Sequence, residues 1–151
     1  MTGYMPNHLT AEDENALALT PTEKLAELSC LSPEKITNSG IAYIVSKRAN
    51  HLRVRTAAAT AWAERGARIN SISPGIVVTP LAYDEFNAPG TTCQSMIDAC
   101  AVKRAGTSDE IAAAGAYLLG PDAGFVTGTD LLIDGGTIAA LKTGQFGLTV
   151  R

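Results

Sequence analysis

The sequence predicts an α/β fold built on parallel strands, and three observations carry the prediction. RINSIS, residues 68–73, is a short run with β-branched residues between a helix-stopping Gly66 and Pro74-Gly75. LLID, residues 131–134, is a second such run, closed by Gly135-Gly136. A capped helical stretch precedes each of them, so the order is helix, strand, loop, helix, strand.

The elements run in chain order. Thr10 with Asp13, Thr20 with Pro21 and Glu23, and Ser32 with Pro33 are three oxygen-bearing helix starts, two of them with proline at the first helical position. Short helices are expected over 11–19 and 21–30. A longer helix is expected from Ser39 to Arg65, with Gly66 as its stop. Ile41, Val45, Leu52, Ala59 and Ala63 share one face of it, and Tyr43, Lys47 and Asn50 share another. Thr107, Asp109 and Glu110 open a further helix through Tyr117 and Leu119 to Gly120-Pro121. Two strands are fewer than the roughly five or six of an ordinary sheet, so the chain reads as part of a fold.

Composition excludes several functions. The 151 residues are 46% apolar, enough for a real core, and the net charge of -3 offers no field for a phosphate backbone. Nucleic acid is therefore not expected as a partner. No apolar run is long enough to cross a bilayer and no secretory leader is legible, so no membrane partner and a cytoplasmic location are expected. Cys30, Cys93 and Cys100 lack C-x-x-C spacing, with only His8 and His51 to complete a site, so no metal is expected. G-F-V-T-G-T-D (124–130) precedes a strand and lacks a third glycine, which makes it a turn rather than a dinucleotide loop.

Tyr43 and Lys47, in A-Y-I-V-S-K-R-A-N, are four residues apart and adjacent on a helix. A phenol beside an ammonium can exchange a proton with an alcohol while hydride leaves its carbon. The spacing alone is weak evidence. Its weight comes from two further segments, placed downstream in order: N-S-I-S-P-G-I-V-V-T at 70–79, then F-V-T-G-T-D-L-L-I-D-G-G at 125–136.

That series resembles the C-terminal half of the short-chain dehydrogenase/reductase family, over about residues 40 to 138. The resemblance implies a doubly wound, Rossmann-like parallel sheet, here incomplete at the N-terminus. It implies NAD or NADP as cofactor and a secondary alcohol and ketone as the small-molecule substrate pair. Tyr43 and Lys47 would be catalytic, Lys47 would also hydrogen-bond the nicotinamide ribose, and Tyr43, Pro74, Gly75, Ile76 and Thr79 would be cofactor-binding with it. Asp134, Gly135 and Gly136 are read as structural. Residues 81–100 come after the cofactor-lining loop and would carry the substrate pocket, with Tyr83, Phe86 and Met96 as its apolar wall or as core.

The stretch before Tyr43 resembles neither the family's first strand nor its glycine-rich turn. Gly3 resembles the glycine that comes three residues after the family's catalytic serine, which would put that serine before Met1; Thr2 points the other way on an extended segment. The expectation is a truncated chain: a helical insertion or substrate cap over 1–39, then the C-terminal half of an oxidoreductase domain over 40–151. A homo-oligomer through the helix 40–65 is the family expectation. The competing reading is a catalytically silent remnant that acts as a subunit-interaction scaffold.

Overall fold

The computed structural model describes residues 1–80, 82 and 93–145. Helix α1 spans Ala11–Leu19, α2 Ser39–Ala59, α3 Cys93–Ala99, α4 Ser108–Leu119 and α5 Thr137–Lys142, and the strands are β1, Ser71–Pro74, and β2, Asp130–Ile133. The two strands pair in parallel, with Ser71 N donating to Thr129 O and Gly75 N to Ile133 O. The fold is α/β with a partial parallel sheet, as the alternation of elements predicts.

The chain divides into two compact units. One comprises Thr2–Ser71 with Phe125–Leu131. Its α1 starts on a reciprocal capping box, Thr10 Oγ1 accepting from Asp13 N while Asp13 Oδ2 accepts from Thr10 N. Leu17, Cys30, Val45 and Leu52 form its buried core, and Leu9, Leu25, Leu28, Leu31, Ile36 and Ile41 pack around it. Two guanidiniums tie α1 to α2. Arg48 grips Glu14 in a two-pronged pair at 2.6 and 2.7 Å, and Arg53 donates to the C-terminal carbonyls Leu17 O and Thr20 O.

The second unit comprises Met1, Ile72–Gly124 and the chain from Leu132 onward. Helix α4 opens on the Thr107–Glu110 capping box and ends at Gly120, as expected. Asp134 accepts from Gly136 N and Ile138 N, turning the chain through Gly135 and Gly136, both at positive φ, into α5. The structural reading of Asp134–Gly136 thus holds. Ile138, Ala140 and Leu141 of α5 are buried.

Several boundaries differ from expectation: β2 runs Asp130–Ile133 rather than over 131–134, and Ser32-Pro33 opens a turn rather than a helix. The 21–30 segment forms two 3-10 helices, Thr22–Glu27 and Ser29–Leu31, because Leu28 is extended and neither start has a side-chain cap. The long helix stops at Ala59, six residues early: the Thr56 and Thr60 hydroxyls bond back to Leu52 O and Thr56 O, a competition that weakens the last turns. Gly66 closes only the short turn Ala63–Arg65, and Ala59 and Ala63 are exposed rather than on the core face. The first strand starts at Ser71; just before it Ile69 N donates to the Thr127 hydroxyl rather than to a strand carbonyl, and the Arg68 and Asn70 side chains donate to Val126 O. Helix α5 was not expected at all, because the glycine pair reads as a stop.

Gly75 shows how closely strand and loop approach. A Cβ there would lie 2.6 Å from Asp134 Cα and 2.9 Å from Asp134 Cβ, and backbone cannot step aside as a side chain can. Gly75→Ala is expected to cost about 1–3 kcal/mol, the usual range for overpacking, read as a drop in the urea midpoint.

Candidate active site

Tyr43 and Lys47 sit near the start of α2, whose first turn is closed by Asn38 Oδ1 accepting from Ile41 N at 3.0 Å. The helix brings the two side chains together: Lys47 Nζ lies 5.2 Å from the centre of the Tyr43 ring, within cation–π range. Tyr43 is 54% exposed and Lys47 half-buried. The pair therefore presents an exposed phenol with an ammonium over its ring. Asn50, on the same side in sequence, is exposed as well.

Below this pair is a polar cluster that sequence reasoning missed. Asp130, at the start of β2, accepts from Tyr4 Oη at 2.9 Å and from Ser71 Oγ at 2.6 Å, and its Oδ1 lies 3.3 Å from His51 Nε2. The Tyr4 and His51 rings stack obliquely, 5.1 Å between centres. Burial holds the His51 imidazole below its usual range, outweighing the opposing pull of Asp130. Burial, with the bond to Asp130, pushes the Tyr4 phenol up to about 12. No local motif announces this cluster, since its members are up to 126 residues apart.

The Tyr4 shift has a consequence at high pH. Its phenol ionises near 10 in an unfolded chain and near 12 in the folded one, so the folded state holds the proton more tightly. The stability this contributes is complete below pH 10 and is lost as the pH rises from 10 to 12, a change of at most about 2–3 kcal/mol. Urea midpoints measured across that window are expected to fall in the native chain and to stay flatter in Tyr4→Phe.

The remaining candidate residues lie on the loop after β1 and beyond. Pro74 ends the strand, its carbonyl accepting from the Met1 amine, and Gly75 comes next at the sheet. Ile76 O accepts from Gly106 N, and Val77 forms a parallel bridge with Gly106. Thr79 Oγ1 accepts from Ala82 N at 3.2 Å, which leaves its O–H proton to donate elsewhere. Ile76 also lines a cavity of about 190 Å³ with Ile97, Cys100, Val102, Ile111 and Ile133. Met96 is half-buried on α3, its carbonyl accepting from Cys100 N. Tyr83 and Phe86 lie outside the described residues. No helix among the described residues is long and apolar enough to cross a membrane.

Comparison with known proteins gives these residues a context. Residues 13–137 match the family described as Enoyl-(Acyl carrier protein) reductase. A short-chain dehydrogenase/reductase of Alternaria brassicicola is 45% identical over 110 residues, 72% of this chain and 40% of that protein. A 3-alpha-hydroxysteroid dehydrogenase/carbonyl reductase of Comamonas testosteroni is 34% identical over 140 residues, 90% of this chain and 53% of that protein. The chain thus spans about half the length, or less, of these curated relatives. Among solved structures, a 3-alpha-hydroxysteroid dehydrogenase from a Pseudomonas species complexed with NADH superposes with a TM-score of 0.65 at 30% identity, over 84% of this chain and 54% of that one. A 4-hydroxyisoleucine dehydrogenase complexed with NADH gives 0.57 at 32% identity, over 65% and 40%.

Proposed function

We infer the function from one premise: this chain belongs to the short-chain dehydrogenase/reductase family. On it, we assign the chain to NAD(P)-dependent interconversion of a secondary alcohol and a ketone, with Tyr43 as acid and base and Lys47 as its partner. The observation that carries the assignment is the Lys47 ammonium over the Tyr43 ring, on an exposed part of a well-capped helix.

The donors present suit a nicotinamide nucleotide. Lys47 offers an ammonium to ribose hydroxyls, and Thr79 an O–H to a carboxamide or phosphate. Pro74, Gly75 and Ile76 are the further lining residues assigned by resemblance. A bound nicotinamide would supply the hydride acceptor or donor. The residues of this chain handle the proton: in oxidation the Tyr43 oxygen takes it from the substrate hydroxyl, and in reduction the Tyr43 O–H delivers it to the forming alkoxide. Lys47 keeps a positive charge beside that oxygen in both directions. Residues 1–39 are assigned, by their place in the sequence ahead of Tyr43, as a helical insertion or substrate cap; Met96, Tyr83 and Phe86 are separately the candidate apolar substrate contacts.

Titrating the 151-residue chain with NADH and NADPH, monitored by nicotinamide fluorescence, tests the assignment. Saturable binding that weakens in Lys47→Met is expected. Absence of binding at millimolar nucleotide overturns it and favours the scaffold reading, which draws on the exposure of Leu119, at 87%, and of Phe125.

A further inference from the structure

Three residues on α2 recur at steps of four: Tyr43, Lys47 and His51. Each step advances about 6 Å along the helix and turns the side chain by about 40°. Tyr43 is accordingly half-exposed, Lys47 half-buried and His51 only 6% exposed. The stripe that bears the candidate chemistry descends into the interior and ends on a histidine.

That histidine is held from three sides. Gly3 leaves room for its ring: a Cβ at residue 3 would sit 2.5 Å from His51 Cε1 and 2.9 Å from Nδ1. The Tyr4 ring lies against it, and Asp130 Oδ1 faces its Nε2. The Asp130 carboxylate, 5% exposed, accepts from Tyr4 of the turn Thr2–Tyr4 and from Ser71, the first residue of β1, and His51 Nε2 of α2 comes within 3.3 Å of its Oδ1. With burial favouring the neutral ring, the tautomer with its proton on Nε2 is the one that can donate to the carboxylate.

A buried carboxylate is costly unless its oxygens are satisfied, and when they are, the bonds are directional in a way apolar packing is not. Elsewhere α2 rests on Val45 and Leu52, aliphatic contacts that tolerate a small rotation of the helix about its axis, and on Arg48 and Arg53, whose long side chains can follow such a rotation while keeping their bonds to α1. The Nε2 to Oδ1 approach, 3.3 Å and buried on both sides, has no slack to follow it. Rotating α2 would swing His51 away from Asp130 and, by the same angle, redirect Lys47 and Tyr43, one and two turns away on the same rigid element.

We propose that Asp130 and His51 form a positioning pair for the Tyr43–Lys47 site, the buried carboxylate fixing the rotation of α2 and hence the direction of the phenol and the ammonium. Tyr4 and Ser71 hold the carboxylate in place. The inference rests on Tyr43 and Lys47 being the functional pair, but its core, that the cluster sets their geometry, is measurable without turnover.

The test is a comparison of the full chain with Asp130→Asn, His51→Leu and His51→Gln, each carrying ¹³C-labelled tyrosine. The Tyr43 ring crosspeak is identified by its loss in Tyr43→Phe. His51→Leu removes the donor, whereas His51→Gln puts an N–H near the place of Nε2. Displacement of the Tyr43 crosspeak by more than its linewidth in Asp130→Asn and His51→Leu, with recovery in His51→Gln, is the expected result. Variants that fold, melt earlier and keep the Tyr43 crosspeak in place would overturn the proposal and leave the cluster a merely stabilising one. Equal displacement in His51→Gln and His51→Leu would overturn it too. If Asp130→Asn does not fold, Ser71→Ala removes one support of the carboxylate, and the same displacement, smaller, is required there. Where nucleotide-dependent turnover is measurable, His51→Leu lowers kcat with KM for the nucleotide held within twofold. Should Tyr43→Phe retain turnover, the catalytic assignment fails, while the crosspeak still decides whether the pair positions Tyr43.

Discussion

Tyr43→Phe lowers the rate of alcohol oxidation, on the proposed reading, by a factor of about 10² to 10⁴, the usual contribution of a positioned acid or base. The substitution removes a single oxygen from a side chain that is half-exposed, so the thermal midpoint stays nearly unchanged. Nucleotide binding weakens less than the rate falls, since the Lys47 ammonium remains. That combination separates lost chemistry from lost structure. The measurement is the initial rate of NAD(P)H formation from secondary alcohols, alongside the fluorescence titration. A variant within threefold of the parent rate would remove Tyr43 from the mechanism.

Leu17→Ala is expected to destabilise the chain by about 2–5 kcal/mol, the range for truncating a buried leucine. Leu17 is 1% exposed and belongs to the core that joins α1 to α2. The transfer and cavity terms add. Its carbonyl also accepts from Arg53, so a shift of α1 would disturb that bond as well. Urea unfolding of the two chains with equal slopes gives the difference directly. A loss under about 1 kcal/mol would mean that α1 is not docked on α2 in solution.

The chemistry was more legible than the geometry. Both capping boxes, at Thr10 and Thr107, could be read because a cap is a local exchange between a side chain and a backbone N–H three residues on. The adjacency of Tyr43 and Lys47 comes from helical period alone. The 3-10 character of 22–31 was not legible, because proline and threonine starts mark where a helix can begin and not whether it continues. Nor was the early end of α2 at Ala59: an alanine-rich stretch has high propensity, and nothing local says that Thr56 and Thr60 will bond backward. Helix α5 depends on the Asp134 carboxylate reaching Gly136 N and Ile138 N, a turn the residue types permit but do not announce.

Much that rests on neighbours along the chain could be read from residue order: the alternation of helix and strand, the capped starts at Thr10 and Thr107, the turn at Gly135-Gly136, and a phenol and an ammonium on one helical face. Which buried groups meet emerged only with the packed chain. Tyr4, His51, Ser71 and Asp130 share one carboxylate only because a turn, a helix and two strand starts converge there. The cause is the range of the forces: backbone hydrogen bonds and side-chain periodicity act over a few residues, whereas desolvation and buried electrostatics depend on which distant segments exclude water together.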